Sequence, residues 1–179
     1  MNRLEILKSA YGILEYVTPL RVDCGKLCHQ SCCQDNGGSK EETGMILYPG
    51  EEELFLDCND WMTLIPIDYT SPNQILARCE GTCPRNRRPL ACRVFPLTPY
   101  LTEEDILLIK MDPRAGSICP LARKKSRNSL QPEFIKAVRK ASTLLISDPS
   151  IKGYIRDLSR ELDEYSSLLW YQAVFESPK

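Results

Sequence analysis

The distribution of cysteine constrains this chain more than any other feature of its sequence. All nine cysteines of the 179-residue chain lie between positions 24 and 119, and the last 60 residues contain none. A protein that used cysteine only as a small core residue would scatter it along the chain. The clustering therefore predicts a site in the middle third of the chain, built from thiols.

The N-terminal segment and the overall hydropathy predict the cellular compartment, which in turn predicts whether the thiols are reduced or oxidised. Glu5, Lys8 and Glu15 interrupt the apolar pattern of the first 17 residues, which is atypical of an export signal. No apolar run reaches 18 residues, so no membrane span is expected. We therefore predict a cytoplasmic protein with reduced thiols, for which metal binding is favoured over disulfides. A disulfide scaffold is the lesser alternative, because the cysteine count is odd and Cys32 adjoins Cys33.

The first cysteine group has helical spacing. Cys24, Cys28 and Cys32 are four residues apart and would share one face if this stretch is helical. Cys33 would then point about 100° away from that face. The adjacent pair Cys32 and Cys33 could thus reach two metals, or two corners of one cluster.

The remaining cysteines complete a set of eight candidate ligands. Cys79 and Cys83 flank a Glu-Gly-Thr loop that can aim two thiolates at one ion, and Cys92 and Cys119 follow singly. Eight thiolates fill two four-cysteine sites, so the predicted cofactor is a zinc ion or an iron–sulfur cluster. The predicted metal ligands are Cys24, Cys28, Cys32, Cys33, Cys79, Cys83, Cys92 and Cys119. Cys58 stands apart from both groups and is predicted to be a buried or free thiol.

Arginines surround the second cysteine group, where positive charge would lower thiol pKa values and offset buried negative charge. They are Arg78, Arg85, Arg87, Arg88 and Arg93. The alternative is a solvated or nucleic-acid-facing surface. A net charge of -1 disfavours nucleic acid as a partner.

His29 is the only histidine, and the thiols suffice without it as a ligand. Cys24, Cys28 and His29 depart from a haem-attachment motif by one extra residue between the cysteines. The third cysteine, Cys32, also falls one residue late for a radical S-adenosylmethionine motif. With a single histidine, no Ser-His-Asp or Cys-His catalytic arrangement can be proposed, so catalytic residues are unknown and enzyme activity is uncertain.

The predicted fold class is α+β and mainly helical, with an irregular, metal-tied centre and short strands. Residues 3–17 have the pattern of an amphipathic helix, and Pro49 with Glu51–Glu53 indicates the first turn of another. The strand candidates are Ile75–Ala77, Val94–Leu97 and Ile106–Met111. We predict a cysteine-cluster region over residues 1–122 and a helical hairpin over 123–179, together forming one domain.

The C-terminal third has two strong helix patterns. Pro132 begins a helix with the apolar stripe Phe134, Val138, Ala141 and Leu145. Asp148 and Pro149 are typical of a cap and first residue of the next helix. Its stripe is Ile151, Ile155, Leu158, Leu162, Tyr165 and Leu169. Such a stripe packs against another helix. A hairpin covering the metal region is the favoured interpretation, and a homodimer seam is the alternative.

The order of these motifs resembles the YkgJ type of cysteine cluster proteins, over about residues 20–122. The matching pieces are Cys24 and Cys28, the pair Cys32-Cys33, Glu51–Glu53, Cys79 and Cys83, Arg88-Pro-Leu-Ala-Cys-Arg-Val-Phe-Pro96, and Cys119. The resemblance implies a zinc- or iron-chelating domain. Gaps of three residues in the first group are wider than the two that are frequent in this family.

The sequence therefore indicates three candidate functions. The first is a metal-binding protein with a structural or redox centre, whose partners are metal ions and a protein partner or second copy of the chain. The second is a metal-dependent enzyme, because the family includes flagellin lysine N-methylase and so implies methyl transfer to a protein amine. The third is a nucleic-acid-binding module that uses Arg85–Arg93 and Arg123–Arg127.

Overall fold

The computed structural model describes residues 1–33, 44–57, 61–68, 73–79, 85–123 and 129–175, with the side chains of residue 85 and residues 170–175 excepted. Its helices are α1 (Arg3–Ile13), α2 (Cys24–Cys28), α3 (Leu90–Val94), α4 (Ala115–Ile118), α5 (Pro120–Arg123), α6 (Pro132–Leu145) and α7 (Pro149–Phe175). Its strands are β1 (Gly44–Ile46), β2 (Met62–Ile67), β3 (Gln74–Cys79), β4 (Leu97–Leu101) and β5 (Leu107–Met111). Three 3₁₀ turns join them at Ser31–Cys33, Glu51–Leu54 and Arg85–Arg87.

The strands form two small antiparallel sheets. In the first, β3 lies between β1 and β2, and Ala77 faces Met45 on one side and Leu64 on the other. In the second, β4 pairs with β5, with Pro99 opposite Ile109. The α+β class predicted from the sequence is confirmed, with the longest helices at the C-terminus.

The main hydrophobic core lies where the N-terminal and C-terminal helices meet the second sheet. Helix α6 packs against α1 and the β4–β5 pair, whereas α7 packs against β4. The stripe Phe134, Val138, Ala141 and Leu145 is buried, as its spacing predicts. Ser159 fastens α7 to the sheet, because its Oγ accepts a hydrogen bond from the Leu101 backbone N–H at 2.9 Å.

The start of α7 is capped as predicted. Asp148 Oδ1 accepts hydrogen bonds from the backbone N–H groups of Ser150 and Ile151, at 2.9 and 3.0 Å. Arg3 on α1 pairs with the other carboxylate oxygen at 3.1 Å. The cap thus links helix α1 to the start of α7. Along the α7 stripe, Ile151, Ile155 and Leu162 are buried, whereas Leu169 is 41 % exposed.

A second, smaller core lies beside the first sheet. It comprises Leu47, Phe55, Trp61, Met62 and Ala77. Tyr11 of α1 packs edge-to-face on Phe55, with ring centroids 6.4 Å apart, and so links this core to the main one. Within the described parts of the chain, no helix combines the length and apolarity needed to cross a bilayer.

Two boundaries differ from prediction. Helix α1 ends at Ile13 rather than at residue 17, and its last turn contains Gly12, a weak helix former. The predicted strand Val94–Leu97 is wrong in its first half. Val94 ends helix α3, and the strand begins only at Leu97, after Pro96.

Candidate metal centre

The first two cysteines of the predicted ligand set lie on helix α2. Asp23 caps this helix by accepting a hydrogen bond from the Gly25 backbone N–H at 3.1 Å. Cys24 and Cys28 are one turn apart, and the Cys28 thiol donates to the Cys24 carbonyl at 3.4 Å. The helix ends at His29, whose φ of 51° is left-handed. The spacing of four therefore places Cys24 and Cys28 on one face, as predicted.

Cys32 is not on that helix face, because α2 stops before it. It lies with Cys33 in the 3₁₀ turn Ser31–Cys33, where the Cys33 backbone N–H donates to the Gln30 carbonyl at 2.7 Å. The two sulfur atoms are 3.9 Å apart. The adjacent thiols are therefore presented by a turn, and the chain reversal after His29 sets their direction.

Cys119 comes from the opposite end of the cysteine-rich region. It follows helix α4, and its backbone N–H donates to the Ala115 carbonyl at 2.8 Å. Its side chain is 9 % exposed and packs in a small cluster with Ala115, Ala122 and Phe95. The junction of α4 and α5 thus holds one thiol in an apolar environment.

Four of the predicted ligands line a single cavity of about 160 Å³. They are Cys24, Cys28, Cys32 and Cys119. The rest of the wall is apolar and comprises Leu20, Leu27, Phe95, Pro96, Ile118, Pro120 and Leu121. We refer to this space as the thiol cavity. The fold has brought thiols that are distant in sequence to one apolar pocket.

The charges of neighbouring thiols act on Cys32. The hydrogen bond with Cys33 lowers the pKa of the Cys32 thiol, and this effect outweighs burial. Negative charge on Cys92, Cys24 or Cys28 would raise the same pKa. Cys33 adjoins Cys32, and neither Cys33 nor Cys92 lines the thiol cavity.

Cys92 lies on helix α3, and a hydrogen bond to the first residue of this helix holds it in position. The Leu90 backbone N–H donates to the buried carboxylate of Glu51 at 2.7 Å. Glu51 also accepts from the Tyr11 hydroxyl at 2.5 Å and from the Tyr48 backbone N–H at 2.9 Å. Glu51 was predicted only as part of an acidic helix start. It is the first residue of the 3₁₀ turn Glu51–Leu54, follows Gly50 with its φ of 84°, and is fully buried.

Cys79 lies elsewhere in the described part of the chain. Cys79 ends strand β3, packs against the second core and does not line the thiol cavity. Cys83, and Cys58, which was predicted to be a non-ligand, both lie outside the described residues. His29 is exposed and ends α2.

Two arginines of the predicted basic group contact aromatic rings. The Arg93 guanidinium lies 4.5 Å from the ring centre of Tyr11, and Arg87 lies 5.6 Å from that of Trp61. Arg93 also donates to the backbone carbonyls of Arg88 and Asn86, at 2.9 and 2.5 Å. Arg93 thus stabilises the loop before α3, a role that its place in the sequence does not indicate. Arg123 is exposed, and residues 124–127 of the second basic run lie outside the described part.

The thiols are not already arranged around a common point. Among the residues described, no group of three or more histidine, cysteine, aspartate or glutamate side chains is positioned to hold a metal ion. The seven cysteines in that part of the chain are thiols. The donors fit zinc or iron in chemical type and share one cavity, but binding would require them to converge.

Comparison with known proteins adds no further constraint. No family model, no curated protein and no solved structure matches this chain.

Proposed function

We propose that this chain is a metal-binding protein of the YkgJ type, in which cysteine thiolates hold a zinc ion or an iron–sulfur cluster. One observation carries the proposal: Cys24, Cys28, Cys32 and Cys119 line the same apolar cavity. Four thiols are the complement of a tetrahedral zinc site or of one cubane cluster. The four thiols come from both ends of the cysteine-rich region, which supports a shared site.

The surroundings of the cavity suit thiolate ligands. The thiolate is the metal-binding form, and the Cys33 hydrogen bond lowers the pKa of Cys32 towards that form. The apolar wall would lower the polarity around a bound metal. Cys33 and Cys92 would be the nearest thiols for a second ion or for a larger cluster. Cys79 and Cys83 complete the proposed ligand set.

The role of such a centre depends on the metal. A zinc ion would tie α2, the turn at Ser31–Cys33 and the α4–α5 junction together without redox chemistry. An iron–sulfur cluster would supply electron transfer. In both cases this chain contributes the thiols, the apolar wall, and the backbone turns that set their direction. We place the protein in the cytoplasm, where such thiols stay reduced.

Anaerobic purification followed by metal analysis and an absorption spectrum tests the proposal. We expect stoichiometric zinc in a colourless protein, or iron and sulfide with broad visible absorption. Protein that contains neither metal, and binds neither after reduction and addition of the metal, would contradict the proposal.

Serine variants test the ligand assignment. Cys28→Ser and Cys119→Ser each remove one thiol from the cavity wall, so both should lower metal content. Cys58→Ser is the matched control, because Cys58 is not a proposed ligand, and its metal content should stay at the wild-type level. Unchanged metal content in both cavity variants would show that the thiol cavity is not the site.

A further inference from the structure

A second and larger cavity, of about 680 Å³, lies between the first sheet, the α3–β4 segment and helix α7. Its apolar lining includes Ile46, Leu76, Val94, Leu97 and Leu158. Small-molecule sites have volumes of about 300–1,000 Å³ and mostly apolar walls with a few polar groups. We refer to this space as the large cavity.

Two tyrosines of the large cavity have unused hydroxyl groups. Tyr48 is 2 % exposed, and its ring packs edge-to-face on Tyr154 with centroids 5.4 Å apart. Both residues line the cavity, and neither hydroxyl makes a hydrogen bond to any described residue. Burial raises the pKa of both hydroxyls, so they stay protonated and can donate. Both hydroxyls can therefore donate to a molecule that occupies the cavity.

Arg114 adds further donors to the same wall. Its Nε and Nη2 donate to the Asp112 carboxylate at 3.0 and 2.8 Å, and its Nη1 donates to Glu161 at 3.2 Å. A guanidinium has five N–H donors, so two remain for a ligand. Tyr48, Tyr154 and Arg114 therefore supply hydrogen-bond donors to this wall.

The charge of the lining narrows the class of ligand. Arg114 is the single cation, and Asp68, Asp112 and Glu161 are anions, which leaves a formal charge of -2 on the described lining. This field repels an anion. The same field attracts an ammonium group, but that group has no acceptor for the N–H groups of Arg114 and would approach a guanidinium.

We infer that the large cavity binds a small apolar molecule whose neutral carbonyl, as in a ketone, ester or amide, accepts hydrogen bonds from Tyr48, Tyr154 and Arg114. The apolar body of the ligand would lie against Leu76, Val94 and Leu158. This inference does not depend on metal binding, because none of the seven cysteines that the structure describes lines the large cavity.

Three probes with similar apolar bodies test the inference: benzylacetone, hydrocinnamate and phenylpropylammonium. They carry a ketone, a carboxylate and an ammonium group. Titration of the full chain, followed by amide NMR shifts, should show benzylacetone binding at least about tenfold more tightly than either charged probe. The shifts should map to the large cavity. Tighter or equal binding of either charged probe would overturn the inference, as would the absence of saturable binding by any probe.

Tyrosine variants test the position of the carbonyl. Tyr48→Phe and Tyr154→Phe each remove only a hydroxyl, and each should weaken benzylacetone binding about three- to tenfold. Tyr100→Phe is the matched control, because its hydroxyl bonds to Asp163 at 2.7 Å outside the cavity. Unchanged affinity in both cavity variants would overturn the inference. Cys28→Ser should bind benzylacetone normally, so failure of the metal proposal and failure of this one are distinguishable.

Discussion

The carboxylate of Glu51 accepts a hydrogen bond from the Leu90 backbone N–H at 2.7 Å, across 39 positions of sequence. Leu90 is the first residue of helix α3, and the first N–H groups of a helix have no partner within it. One buried side chain therefore anchors the start of the helix that carries Cys92. The same carboxylate holds Tyr11 of α1 and the backbone of Tyr48.

Replacing Glu51 with glutamine should destabilise the fold. The amide has only one acceptor oxygen, and its NH₂ group would face groups that donate hydrogen bonds to Glu51. At least one buried donor therefore loses its partner. Such a loss costs about 1–3 kcal/mol. Urea unfolding of Glu51→Gln measures it. Glu53→Gln, at an exposed position of the same turn, is the control and should change stability by less than about 0.5 kcal/mol.

The contribution of Glu51 to stability should depend on pH. Burial raises the pKa of Glu51 above its usual value of 4.5, so the folded chain binds this proton more tightly than the unfolded chain. Stability from this residue therefore falls as pH rises from 4.5 through the raised pKa. The difference in unfolding free energy between wild type and Glu51→Gln should shrink over that range. A difference that grows with pH would contradict the raised pKa.

Loss of the α7 cap should lower the free energy of unfolding. Asp148→Ala removes two hydrogen bonds to the first turn of α7 and the ion pair with Arg3. We expect a loss of about 1–2 kcal/mol by chemical denaturation. Asp157→Ala is the control, because its ion pair with Arg160 is exposed and such pairs contribute about 0–1 kcal/mol. Equal losses in the two variants would refute the capping role.

A large-to-small substitution at the centre of the main core should strongly lower the stability of the fold. Phe134 is fully buried on α6, so Phe134→Ala should cost about 3–5 kcal/mol, from lost burial and a residual cavity. Tyr16, at 88 % exposure, offers a comparison, and Tyr16→Ala should stay within about 0.5 kcal/mol of wild type. Thermal unfolding followed by circular dichroism distinguishes the two outcomes.

Removal of the proposed metal should lower stability. A metal that binds only the folded chain adds about 2.7 kcal/mol when its free concentration is a hundredfold above Kd. Treatment with a chelator should therefore lower the Tm of the wild type. The Cys28→Ser variant should show a much smaller shift, because it has already lost a ligand. Equal shifts in the two proteins would argue against Cys28 as a ligand.

Local periodicity accounts for the parts of the fold that were predicted well. The stripes of α6 and α7 and the Asp148–Pro149 start depend on residues close in sequence. The strand Met62–Ile67 was missed, because Pro66 lies within it and its pairing with Gln74–Cys79 is a tertiary contact. Val94 was misassigned to a strand because its β-branched side chain favours one, whereas the Glu51–Leu90 bond favours a helix there.

The candidate site was predictable in composition and less so in arrangement. Spacing places Cys24 and Cys28 together, because they are one helical turn apart. Nothing local indicates that Cys119 faces them, or that Cys79 packs against the second core instead. The large cavity also lacks a sequence signal, because Tyr48, Arg114 and Tyr154 meet only through the tertiary fold.

Phe95 and Ile118 line both the thiol cavity and the large cavity. Two side chains therefore form a shared partition, and any substitution at Phe95 alters the shape of two chambers at once. Such a position has less freedom to vary than a residue that serves one pocket. Deep mutational scanning of this chain should accordingly find Phe95 less tolerant of change than Leu27, which lines the thiol cavity alone and is 66 % exposed.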